Sequence, residues 1–155
     1  MRVIRFRGYN KNTKRWYYGS YARLERTTPY PMSQDPEGDA NKFEDEQVDH
    51  YIFFTEDNDW GLETRKLKAT VDPLSVGQSL DKYDSRNQEI YEGDIVETEQ
   101  CEKPATIEWH DDLLEYVLTV YHKEDDCLDS EFIDPDVPMT VISNTYEEKH
   151  INNEL

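Results

Sequence analysis

Between Asn87 and Val96 the chain reads Asn-Gln-Glu-Ile-Tyr-Glu-Gly-Asp-Ile-Val, with two short runs of strand-forming residues, Ile90-Tyr91 and Ile95-Val96, hinged on Gly93-Asp94. Glycine lets the backbone take positive φ, and the aspartate that follows can close the turn by accepting a nearby N–H. The stretch therefore predicts a turn, a strand, a tight corner and a second strand. It divides the chain into an irregular N-terminal β subdomain over 1–86 and a small barrel-like β subdomain over 87–155, packed as one compact unit.

The rest of the chain agrees with strands. Eleven Tyr, five Phe and three Trp stand beside six Gly and seven Pro, and large aromatic side chains suit half-buried pleated surfaces. No long segment repeats apolar residues at the three-and-four spacing of an amphipathic helix. From Val3 to Gly8, Ile4 and Phe6 alternate with Arg5 and Arg7, as in a strand that buries its apolar face. Asn10 to Lys14 is turn chemistry, and Trp16-Tyr17-Tyr18-Gly19 returns, which makes an N-terminal hairpin. Tyr51 to Phe54 and Lys66 to Val71 predict further strands, the latter with Leu67, Ala69 and Val71 inward. Asp72-Pro73-Leu74-Ser75-Val76-Gly77 has the form of a one-turn helix, with Asp as cap and Pro at the first helical position. Gln78 to Gln88 reads as turns.

After the corner, Ala105 to Trp109, Tyr116 to Tyr121 and Met139 to Ile142 are strand signals, separated by an acidic link over Glu124 to Asp136. The fold expected is mostly β, ending in a small SH3-like barrel or a strongly bent sheet, with little helix. Residues 30–47, with two prolines and many acids, predict a long mobile loop. The tail over 147–155 carries no fold signal.

Charge is distributed unevenly over a net −18. Residues 1–30 hold eight Arg or Lys against one acid, whereas 31–155 hold nine bases against thirty-four acids. An acidic body of this kind repels phosphate backbones and anionic lipid. The hairpin interleaves basic and aromatic residues as single-strand nucleic-acid platforms do, but the acidic body beside it weakens the driving force of counterion release, so a nucleic-acid partner is not expected. A better reading is that the basic hairpin docks on the acidic body of a second copy, giving a homo-oligomer. No apolar run approaches the length of a membrane span, so no membrane partner is expected. Met1 is followed by Arg-Val-Ile-Arg-Phe-Arg rather than an apolar leader, so Cys101 and Cys127 are expected as reduced thiols in a cytoplasmic protein.

Catalytic, cofactor-binding and metal-ligating residues are not identified. Glu56 to Gly61 invites a calcium reading but puts Trp60 and Leu67 where an EF-hand loop needs ligands. His50, His110, His122 and His150 are scattered, without a nucleophile motif or metal-ligand spacing. Asp111-Asp112 beside His110, and Asp125-Asp126, are adjacent acids of the sort that an acidic chain contains anyway, and His110-Asp111-Asp112 reads as a hairpin turn. With no constellation to support catalysis, the chain is expected not to be an enzyme and to need no cofactor.

Three blocks carry a resemblance. Ile4-Arg5-Phe6-Arg7 with Trp16-Tyr17-Tyr18-Gly19, Val76-Gly77-Gln78 with Gln88-Glu89-Ile90-Tyr91-Glu92-Gly93-Asp94-Ile95-Val96, and Val141-Ile142-Ser143-Asn144-Thr145-Tyr146-Glu147 resemble, in order, the opening, the most distinctive block and the closing motif of the YopX family, proteins encoded mostly in bacteriophages and prophages. The chain departs from the family pattern at Ser79-Leu80-Asp81-Lys82, where the family has Tyr-Thr-Gly-Leu, and at Ser143, where it has glycine. The resemblance implies a mostly β fold in two subdomains and a tendency to oligomerise. It implies no known activity and no site residue. The function expected is that of a phage- or prophage-type accessory protein that works by binding protein, as a homo-oligomer or on a host protein. The alternative is an acidic decoy that imitates nucleic acid and occupies a host DNA-binding protein.

Overall fold

The structure is a computed structural model that describes residues 3–25, 48–56, 65–122 and 127–151. Eleven strands follow in order: β1 (Phe6–Asn10), β2 (Arg15–Glu25), β3 (Val48–Glu56), β4 (Arg65–Thr70), β5 (Gly77–Tyr83), β6 (Glu89–Tyr91), β7 (Asp94–Thr98), β8 (Ala105–His110), β9 (Glu115–His122), β10 (Cys127–Phe132) and β11 (Met139–Asn144). A 3-10 turn at Pro73–Ser75 precedes β5, and a π-helical turn at Glu147–Ile151 follows β11. The strands form two antiparallel sheets: six in the order β4-β3-β2-β1-β5-β6, and five in the order β10-β9-β8-β7-β11. The fold is mostly β with little helix, as the aromatic-rich composition predicts. Of the two forms expected for the C-terminal part, the sheet is open, with β10 and β11 as its edges, and no barrel closes.

The chain passes from one sheet to the other at Gly93, between β6 and β7, within the Asn87–Val96 stretch. The main core lies where the sheets meet: Leu80 and Ile90 come from the six-stranded sheet, and Val96, Ile107, Leu118 and Val141 from the five-stranded one. Ile90, Val96, Ile107 and Leu118 are fully buried, each removing apolar surface worth about 1.5–3 kcal/mol. A smaller buried group, Ile52, Ala69 and Val71, lies under β3 and β4.

Four expectations need correction. Gln78–Gln88 is mainly strand: β5 runs through Gly77–Tyr83, with Asp81 at φ +58° where the ladder to β6 shifts register. The acidic link over Glu124–Asp136 contains β10, whose Leu128 and Phe132 alternate with Asp129 and Glu131. Glu147 to Ile151 is not featureless, because the turn there packs Tyr146 against His150 with ring centroids 4.9 Å apart. Most consequentially, Arg7 of β1 is 6% exposed where the alternation predicts a solvent face, while Ile4, just before the strand, is 51% exposed and Phe6 is half-buried. The loop expected over 30–47 and most of the Glu56–Gly61 link lie outside the described residues.

β2 is shared between two partners. Its first half pairs with β1 as far as Phe6↔Gly19, and its second half pairs with β3 from Ser20↔Phe53 onward. At the handover a Cβ on Gly19 would lie 2.0 Å from the Phe53 carbonyl oxygen, so only glycine fits. Gly19→Ala should therefore lower stability by at least about 2 kcal/mol, a fall in Tm of roughly 4–8 °C for a chain of this size. Ser20→Ala, at an exposed position one residue on, should leave Tm within about 2 °C; equal melts for the two variants would refute the close approach.

Candidate functional site

The inward turn of Arg7 on β1 places its guanidinium between the two sheets. Its Nη1 donates to Asp94 Oδ1 at 2.5 Å, and its Nη2 donates to the Glu92 carbonyl at 3.1 Å. The guanidinium carbon lies 5.0 Å from the centroid of the Trp16 ring and 5.2 Å from that of Tyr91. Planar and weakly hydrated, arginine suits such a slot between aromatic faces. Asp94 turns its second oxygen to the Tyr91 N–H at 2.8 Å, which closes the Gly93-Asp94 corner as the sequence predicts. Gly93 takes φ +82°; its N–H donates to the Ile107 carbonyl at 2.8 Å, and its own carbonyl accepts from the Thr145 N–H at 2.9 Å. One corner thus ties β1, β8 and the segment after β11 together.

Aromatic side chains close round this pair. Tyr9, Trp16 and Tyr146 pack mutually with centroids 5.4–5.8 Å apart. Trp16 Nε1 donates to Glu147 at 2.8 Å, and the Tyr146 hydroxyl donates to Asp72 at 2.9 Å. Asp72 caps the 3-10 turn by accepting from the Leu74 N–H and pairs with Lys11 at 2.6 Å. Burial works against its charge, but those three donors outweigh it and hold its pKa below the usual carboxylate value. A cavity of about 210 Å³ opens beside the pair, walled by Arg7, Trp16, Glu92, Glu108 and Tyr146. Burial pushes the Glu92 carboxyl up, and Glu108 adds to the effect, against the opposing pull of the Gln78 N–H and Arg7. Asp94 is also raised, because its burial outweighs the pull of Arg7.

Chemically this is a joint. An arginine in a protein does not give up its proton, so a permanent positive group is set against the Asp94 carboxylate and holds β1 to the corner. A second buried carboxylate makes a similar bracket: Asp84 accepts from the N–H groups of Arg86 and Gln88 at 2.8 Å each, and from the Val141 N–H at 3.1 Å. That last bond clamps the β5–β6 turn of one sheet to β11 of the other. Burial opposes the Asp84 charge, yet the three N–H donors and Arg86 hold its pKa below the usual value.

The residues weighed from sequence are not brought together. His50 shares a 2.6 Å hydrogen bond with the Tyr21 hydroxyl and stacks on that ring. His110 ends β8, and Asp111 and Asp112 are exposed in the β8–β9 turn, as a hairpin reading predicts. His150 packs on Tyr146. Cys101 is a free, half-buried thiol whose pKa is raised by burial and by Glu131. The His122 and Cys127 side chains, and Asp125 and Asp126, lie outside the described residues. Among the described residues, no group of three or more His, Cys, Asp or Glu could hold a metal ion, and no helix is long and apolar enough to cross a membrane. Sequence reasoning missed Arg7, Trp16 and Asp94 as an interacting set, and Asp84 as a clamp on Val141. The corner was legible, but its partner 87 residues away was not.

A sequence model described as YopX protein matches residues 5–151. The chain belongs to the YopX family. No curated protein matches it. The two departures from the family pattern fall at irregularities of the ladders. Asp81, in the place of the family's glycine, holds φ +58°, a conformation that aspartate tolerates better than most residues. Ser143 stands at the register shift in the pairing of β11 with β7.

Two predictions test the joint. Arg7→Met strands a buried carboxylate and should cost about 3–5 kcal/mol, Asp94→Asn strands a buried guanidinium, and the double variant should cost clearly less than the sum of the two. Urea unfolding of the four proteins measures the coupling; additivity would show that the pair is not the joint. For Asp84, a folded pKa below the unfolded value of about 3.9 means that its contribution is present above that value and is lost as pH falls through the folded pKa. The stability gap between the wild type and Asp84→Asn should accordingly be constant above about pH 5 and shrink below pH 4 in pH-dependent melts.

Proposed function

We propose that this member of the YopX family is a non-enzymatic accessory protein of phage type that works by binding protein, assembled as a homo-oligomer. The observation that carries the reading is the division of labour between side chains. The buried charged groups, Arg7, Asp94 and Asp84, are engaged in holding the two sheets together. Meanwhile Leu24, Phe53, Trp109, Tyr121, Leu128 and Phe132 keep 40–65% of their surface exposed on strands of both sheets. Tyr121 and Leu128 lie directly opposite each other on β9 and β10, and adjoining exposed apolar side chains favour contact with another protein.

Charge supports a partner of the same kind. The hairpin itself has less free positive charge than its sequence implies, because Arg5 pairs with Glu89 at 2.7 Å, Arg7 with Asp94 and Lys11 with Asp72. What it leaves exposed are Lys14, Arg15 and Arg23, joined on the same sheet by Lys66 and Lys68. A basic region on a chain of net −18 is complementary to the acidic surface of another copy.

Light scattering on a sizing column at low and high salt tests this. The expected result is an oligomer at micromolar concentration whose mass falls as salt rises, since exposed ion pairs are screened beyond about 10 Å at 0.1 M salt. A monomer at both salts would overturn the homo-oligomer and leave a different protein as the partner of the acidic surface.

A further inference from the structure

Among the described residues four strands end the two sheets: β4 and β6 in one, β10 and β11 in the other. Such edges are where a second chain can extend a ladder. Two of them are poorly suited to it. β6 is three residues long, and β11 breaks register between Val141 and Ser143; short strands and bulges are both ways of blunting an edge. β4 and β10 are different, since each is six residues long and pairs with its inner neighbour without a register shift.

These two edges carry opposite charge on matching positions. On β4, Lys66 and Lys68 are exposed on one face, while Leu67 and Ala69 turn to the other. On β10, Asp129 and Glu131 project from one face, and Leu128 and Phe132, 65% and 57% exposed, project from the other. Two β4 strands brought together would set lysine against lysine, and two β10 strands acid against acid, which is unfavourable at cross-strand distance. A β4 strand against a β10 strand has no such conflict.

We propose that β4 of one copy pairs antiparallel with β10 of a second copy of this chain, with Lys66 opposite Glu131 and Lys68 opposite Asp129. The proposal rests on the homo-oligomer reading above and names its contact. In this register the whole of each strand is used: the two lysines meet the two acids on one side, and on the reverse side Ala69 stands opposite Leu128, Leu67 opposite Ser130 and Arg65 opposite Phe132. A cavity of about 260 Å³, walled by Gln100, Glu102, Lys103, Val120, Asp129 and Glu131, lies beside the acidic positions. Its carboxylates outnumber its single lysine, so an approaching ammonium meets net negative charge there. Each copy offers one β4 and one β10, so the contact is head-to-tail, and its repetition builds a ring or a filament rather than a two-fold dimer.

The test uses the full chain and three proteins: wild type, Lys66→Glu/Lys68→Glu and Asp129→Lys/Glu131→Lys. Circular dichroism first checks that the variants, altered only at exposed positions, remain folded. Light scattering is then expected to show each variant dissociated at concentrations where the wild type is assembled, with the dissociation constant weakened at least about tenfold. An equimolar mixture of the two variants restores complementary edges and should reassemble into particles larger than either variant forms alone. If a double variant melts early, Lys66→Glu and Glu131→Lys alone and mixed give the same readout. A wild-type oligomer whose mass neither variant changes would overturn the edge pairing and leave the homo-oligomer standing. A wild type that is monomeric throughout would overturn both.

Discussion

Removing an arginine and an aspartate from water costs several kcal/mol for each ion, and their attraction returns this only where geometry and further hydrogen bonds are favourable. Arg7 and Asp94 meet that condition through a 2.5 Å contact, a second donor on the Glu92 carbonyl, the Tyr91 N–H on the free carboxylate oxygen and two aromatic faces. The pair spans the passage between the sheets, and much of the molecule is placed by it. β1 must turn its arginine inward. Gly93 must take positive φ to aim Asp94. The aromatic set round Trp16 must then cover the guanidinium.

That dependence explains what could be read from the chain and what could not. The Gly93-Asp94 corner, the N-terminal hairpin, the Asp72-capped turn and the strands β3, β4, β8, β9 and β11 rest on local chemistry, alternation and turn residues, and these are visible in a single sequence. The burial phase of β1 is not local. Alternation says that Arg5 and Arg7 share a face opposite Ile4 and Phe6, but only a carboxylate 87 residues away decides that Arg7 goes inside. Asp84 has the same character: its turn was legible from Asp84, Ser85 and Asn87, whereas its hold on the Val141 N–H depends on how the sheets pack.

β5 and β10 were hidden for a different reason. Asp81 and the acids of the 124–136 stretch have poor intrinsic strand preference. In β5 the aspartate sits at a register shift with φ +58°, where its turn chemistry is tolerated. In β10 acids alternate with Leu128 and Phe132 on an edge where both faces are exposed. Propensity measures how well a residue fits a half-buried pleat, and at an edge that criterion relaxes. An acidic composition therefore conceals edge strands in particular, and those are the strands most open to a partner.

The candidate site and the proposed β4–β10 contact are thus distinct in kind. At the joint, the charges of Arg7 and Asp94 are matched by a buried partner within the same chain, and the role of the pair is shape. At the edges, Lys66, Lys68, Asp129 and Glu131 are exposed and their positions alternate regularly, so their charge can discriminate among strands that approach. The first arrangement fixes the relation of the two sheets and thereby fixes the direction in which β4 and β10 leave each copy. A head-to-tail assembly closes only if that angle is the same in every subunit. On this reasoning the buried pair would govern how regular the assembly is, while the exposed charges would govern whether it forms.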